Sequence, residues 1–202
     1  MTQESAIKRI ERRRQEVEQE PDSAQAHFRL GVACTHAGRM DSAAKAYRKA
    51  LELEPTMAKA WVNLGGALFL KWDFEGAVEA NEKALALDPD LLEAHFGLGQ
   101  ARLYLNQPEE VTRCNRRVIE LDHEHGPGHY YLAVGLLALG EVGRAREALS
   151  QAMRFGHQPR PEFLRELEKA EKQSKMVSAM NLAPNGTNQG SVEHNNDNLK
   201  EK

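Results

Sequence analysis

Small and apolar residues recur along this chain with a step of 34: Leu30-Gly31, Leu64-Gly65 and Leu98-Gly99, then Leu132-Ala133. The same step links Ala43, Ala77, Val111 and Ala145; it also links Ala50, Ala84, Val118 and Ala152, and Leu53, Leu87, Leu121 and Phe155. A fixed period of this length is one supersecondary unit repeated, and such a unit buries its apolar face only by stacking on its neighbours.

Within the period the apolar spacing is helical. Phe28, Leu30, Val32 and Ala33 belong to a helix from about Ala24 to His36, which breaks at Ala37-Gly38-Arg39, where glycine supplies a left-handed residue. Ala43, Ala46 and Ala50 follow on a helix from about Asp41 to Leu53, small enough for two helices to approach closely, with Tyr47 and Leu51 filling the space around them. Pro55 ends that helix, and Asp88-Pro89-Asp90 repeats the stop, because proline cannot continue the hydrogen-bond ladder. The pattern predicts an all-α chain of four stacked hairpins at 24–57, 58–91, 92–125 and 126–159.

The later hairpins drift. His123 stands where proline stood, Pro108 opens a helix, and Asn81 and Asn115 take the slot of Tyr47, where local hydrogen bonds in the hairpin seam are expected. Terminal hairpins need covers. Residues 1–23 form a charged capping helix with Ile7, Ile10 and Val17 as its apolar stripe; residues 160–173 form a second, with Phe163, Leu164 and Leu167. After about Ser174 the pattern ends and 181–202 is rich in Asn, Gly and Ser, so a disordered polar tail is expected over 174–202.

Trp61-Val62-Asn63-Leu64-Gly65-Gly66-Ala67-Leu68 matches W-x2-L-G-x2 followed by a large residue, and Ala43 with Tyr47 matches A-x3-F/Y. On these residues the chain resembles the tetratricopeptide repeat family over about Ala24 to Pro159, with His27, His95 and His129 at the place of Trp61. The resemblance implies an α-solenoid of four helix-turn-helix repeats with capping helices, and a concave groove lined by the first helix of each repeat. Family groove positions select Phe28, Val32 and His36; Val62, Asn63 and Phe69; Phe96, Gln100 and Tyr104; and Tyr130, Tyr131 and Val134. Tyr104 and Tyr131 lie on adjacent repeats and are expected to form one aromatic platform. The carboxylate clamp of co-chaperones in this family is poorly matched: its positions hold Phe28, Val32, Asn63, Glu93 and Gly97, of which only the asparagine fits.

Charge adds little direction. The 202 residues carry 27 basic and 30 acidic side chains, a net charge of −3, so nucleic acid is not expected as the main partner. Arg12-Arg13-Arg14 is balanced by Glu11, Glu16, Glu18 and Glu20 and is read as a solvated helix face; Arg113, Arg116 and Arg117 lie on a second helix among Glu109, Glu110 and Glu120. Without an apolar leader or a span of about 20 apolar residues, membrane insertion is not expected, and a cytoplasmic location is. Cys34 and Cys114 are read as reduced packing residues.

His123, His125 and His129 form H-x-H-x3-H, but glycine and proline intervene and no cysteine or carboxylate completes a shell. No metal, cofactor or catalytic group is expected. The reading is a non-enzymatic adaptor or assembly factor that takes an apolar or aromatic helix, or an extended peptide, in its groove. The alternatives are a self-assembling homo-oligomeric scaffold and, from another class, a metal protein or enzyme using the three histidines.

Overall fold

The computed structural model describes residues 3–182, which form ten α-helices. They are α1 Gln3–Gln19, α2 Ala24–His36, α3 Met40–Leu53, α4 Ala58–Leu70, α5 Phe74–Leu87, α6 Leu92–Tyr104, α7 Pro108–Leu121, α8 Gly126–Ala138, α9 Val142–Arg154 and α10 Pro161–Leu182. Successive helices pack on one another, and the first helices of the hairpins also touch in series, α2 on α4, α4 on α6 and α6 on α8. The architecture is an α-solenoid, covered by α1 on α2 and by α10 on α9.

Helix ends follow from local chemistry. Ser23 caps α2 by accepting from the Ala26 N–H at 3.2 Å, and the Asp73 carboxylate caps α5 by accepting from the Gly76 N–H at 2.9 Å. Each hairpin turn carries one left-handed residue, at Gly38, Trp72, Asn106 and Gly140, with φ of 71°, 65°, 54° and 75°. The next N–H then reaches back to the helix: Arg39 to Cys34, Asp73 to Leu68, Gln107 to Arg102 and Glu141 to Leu136, at 2.9 to 3.0 Å. These are the six-to-one bonds that satisfy orphan carbonyls at a helix end.

The Leu-Gly step has a steric cause. A Cβ on Gly31 would lie 2.5 Å from the Tyr47 ring, one on Gly65 2.5 Å from the Asn81 amide, and one on Gly99 2.8 Å from the Asn115 amide. Ala133 breaks the glycine series in the fourth hairpin, where the opposing residue is Leu149. Ala43, Ala77, Val111 and Ala145, with Ala50, Ala84, Val118 and Ala152, are all fully buried on the second helices. As expected of the seam, Asn81 and Asn115 donate to the carbonyls of Ala77 and Val111, each at 2.8 Å. The Asn115 Oδ1 is left buried without a partner among the described residues.

One expectation needs correction. The last helix does not end near residue 173; it runs on to Leu182, because Ser174 to Leu182 contains neither proline nor glycine and the first such residue is Pro184. The remainder of the expected tail, 183–202, lies outside the described residues, as do residues 1 and 2 of the N-terminal cover.

Candidate functional site

The groove positions differ in exposure. Phe28, Val32, Val62, Asn63, Phe69, Phe96, Gln100, Tyr131 and Val134 are half-buried; His36 and Tyr104 are exposed. Tyr130, expected in the groove, is only 7% exposed. Its ring meets Phe163 of α10 at 5.3 Å and His157 at 4.5 Å, so the C-terminal cover claims it as core. Tyr104 and Tyr131 belong to different groups, and no ring contact joins them among the described residues. Tyr131 packs edge-on to Phe96 at 5.6 Å and accepts from the Gln100 amide at 3.4 Å. Phe96 in turn meets the His125 ring at 4.9 Å.

Tyr104 joins a second aromatic group at the turn edge of the second and third hairpins. Its ring stacks on Phe74 at 4.6 Å and meets Phe69 and Trp72 edge-on at 5.3 and 6.1 Å. With Leu70 these rings line a shallow cavity of about 190 Å³ that has no charged residue in its wall. Tyr104, Leu70 and Trp72 are 51%, 56% and 74% exposed. Trp72 and Phe74 were absent from the groove read off the sequence. The available signal was positional: at the step holding Gly38, Asn106 and Gly140, this hairpin places a tryptophan in left-handed backbone, a conformation that costs a side-chain-bearing residue about 1–2 kcal/mol. The sister turns hold Gly38, Asn106 and Gly140 at this step, so the shape of the turn does not itself call for an aromatic residue.

Four histidines are held by hydrogen bonds to the backbone, whereas the His123 side chain is exposed. The Nε2 of His27, His95 and His129 donates to the carbonyls of Pro21, Pro89 and His123, each at 2.9 Å; the carbonyl can only accept, so that nitrogen carries the proton. Trp61 makes the equivalent bond to Pro55 at 2.8 Å, which explains how histidine substitutes for tryptophan there. His125 Nδ1 accepts from the Gly128 N–H at 2.9 Å as the cap of α8. No cluster of three metal-ligating side chains occurs among the described residues. Both cysteines are buried and free; burial pushes the Cys34 thiol up and that of Cys114 up to about 11, the opposite of an activated thiolate. Arg113 and Arg117 pair with Glu110 and with Glu120 and Asp90 on the second-helix face. Among the described residues no helix is long and apolar enough to cross a membrane.

The tetratricopeptide repeat profile matches residues 4–58 and 41–91. No curated protein sequence matches the chain. Among solved structures, MamA residues 41-end from Desulfovibrio magneticus RS-1 is 20% identical, with a TM-score of 0.70 over 75% of this chain and 85% of that one. PilF from Pseudomonas aeruginosa is 21% identical, with a TM-score of 0.69 over 88% and 86%. The first tetratricopeptide repeat domain of Spaghetti (RPAP3), bound to the HSP90 peptide SRMEEVD, is 26% identical, with a TM-score of 0.56 over 58% of this chain and 95% of that one.

Proposed function

Because the chain belongs to the tetratricopeptide repeat family, we propose that it is a non-enzymatic adaptor that captures an apolar or aromatic segment of a partner protein on its first-helix face. The carrying observation is the group of half-buried Phe69 and Phe74 with exposed Trp72 and Tyr104 around an uncharged cavity, Trp72 being held in left-handed backbone. Large rings with a polar tip or edge supply contact area at low ordering cost, and a preformed surface limits what binding must offset. The RPAP3 domain bound to a short peptide supports this use of the scaffold.

The test pairs Trp72→Ala and Tyr104→Ala with the control Arg116→Ala and Arg117→Ala on the second-helix face. Truncating aromatic anchors commonly costs more than about 1 kcal/mol each at an interface. Titration of a recovered partner should show weakened binding only for the aromatic variant, with helicity unchanged in both. Loss of binding in the arginine variant alone would move the functional surface to the opposite face.

A further inference from the structure

A second feature lies at the N-terminal end of the same face. α1 runs antiparallel to α2, and Arg9, Arg12 and Arg13, at spacings of three and four, fall on one side of α1 toward Arg29 and His36 of α2. Together they line a cavity of about 450 Å³ whose floor is the apolar side of Phe28, Val32 and Ala33. No acidic side chain lines it.

Beside it stands Glu16, whose two oxygens each sit 2.6 Å from Arg13 Nη1, with Arg12 Nε at 4.0 Å. The hydrogen bond from Arg13 holds that carboxyl below its ordinary range, helped by the fields of Arg13, Arg12 and Arg29. These arginines therefore act on one point in space, and one carboxylate balances only part of them. Arg29 is exposed and makes no ion pair or hydrogen bond among the described residues. Each guanidinium fork suits one carboxylate through two parallel N–H···O bonds, so Arg12 and Arg29 together can take two, and the apolar floor suits an aliphatic or aromatic neighbour.

We propose that this cavity receives an acidic stretch of a partner peptide, two side-chain carboxylates next to an apolar residue, and thereby sets the direction of the segment lying along the groove. This rests on the groove reading above. The positions used, on α1 and at Arg29, are not those of the carboxylate clamp. A nucleic acid is disfavoured because the basic stripe does not continue: the following hairpins present Lys59 and Glu93, and the whole chain carries −3.

Selection from a random-peptide display library, in which every peptide C-terminus is fused and carries no free carboxylate, tests this against the full chain. Three proteins are compared: the wild type, Arg12→Gln with Arg29→Gln, and Tyr104→Ala with Trp72→Ala. Wild type should enrich peptides with paired Asp or Glu beside an apolar residue. A synthetic, amidated peptide of that composition should bind the arginine variant about tenfold more weakly and lose affinity with added salt.

Apolar enrichment without acidic enrichment, or acidic enrichment unchanged in the arginine variant, overturns the cavity assignment and leaves the groove reading standing. Enrichment of acidic residues beside an apolar one, lost only in the arginine variant and unaffected by the aromatic variant, supports the cavity and overturns the groove reading. Tighter, arginine-dependent binding of oligothymidylate than of the acidic peptide would also overturn the proposal. Both arginines are exposed, so unchanged thermal melting excludes misfolding as the cause.

Discussion

Replacing Trp72 by glycine separates a ring kept for a partner from a ring kept for folding. Left-handed backbone costs tryptophan about 1–2 kcal/mol, which glycine releases. Against this, glycine loosens the unfolded chain by about 0.4–1 kcal/mol. The ring contacts to Phe74 at 5.9 Å and Tyr104 at 6.1 Å are made by a side chain 74% exposed, so each lies near the low end of edge-to-face pairs, about 0.5 kcal/mol. The terms nearly cancel. Trp72→Gly should leave stability within about 1 kcal/mol of wild type, where truncating a buried tryptophan costs about 3–5 kcal/mol.

Trp72→Ala keeps the strain and loses the rings, so it should be less stable than Trp72→Gly by about 1 kcal/mol. Gly38→Ala calibrates the backbone term alone, since its φ is 71° and nothing lies within 4 Å of the added Cβ; it should also cost about 1 kcal/mol. Urea denaturation followed by circular dichroism reads all three, and 1 kcal/mol corresponds to about 2–4 °C in Tm for a chain of this size. A loss above about 3 kcal/mol in Trp72→Gly would refute the reasoning, because the ring would then be part of the core.

Two further changes test the seam. Leu64→Ala removes a side chain 4% exposed in the main core and should cost about 2–5 kcal/mol by thermal melting; an unmoved curve would mean that the position is not packed as described. Asn115→Leu replaces a buried amide, whose Oδ1 is unpaired, by an apolar group of similar shape; the Val111 carbonyl keeps its helical bond, and stability should rise by about 1 kcal/mol in the same melt.

The hairpin order was readable because its cause is local. Gly31, Gly65 and Gly99 recur where a side chain from the next helix arrives, so the steric requirement is written into the period itself. What escaped depends on docking between segments the period does not relate. Tyr130 reads as a groove residue until α10 is laid across it, and the expected end of α10 rested on polarity, which does not stop a helix when proline and glycine are absent. Arg12 and Arg13 look neutralised along the sequence by Glu11, Glu16 and Glu18; only the antiparallel seating of α1 on α2 gathers the arginines toward Arg29. Trp72 was hidden for the opposite reason: it departs from the repeat, and a search for sameness passes over the departure.

The central claim is that partners engage the first-helix face around the aromatic group. Gly66 of α4 and Gly143 of α9 both have open space where a side chain would begin, so a bulky photoreactive residue fits at either without displacing a neighbour. Gly66 lies one turn before Phe69 on the first helix of its hairpin, whereas Gly143 lies on the second helix of its own. The most direct measurement is the yield of partner adducts after irradiation of Gly66→p-benzoylphenylalanine and Gly143→p-benzoylphenylalanine in the native lysate, each repeated with Trp72→Ala and Tyr104→Ala. A discrete adduct is expected at position 66 that disappears with the aromatic substitutions, and none at 143. An adduct at 143 alone, or one at 66 indifferent to the loss of Trp72 and Tyr104, would contradict it.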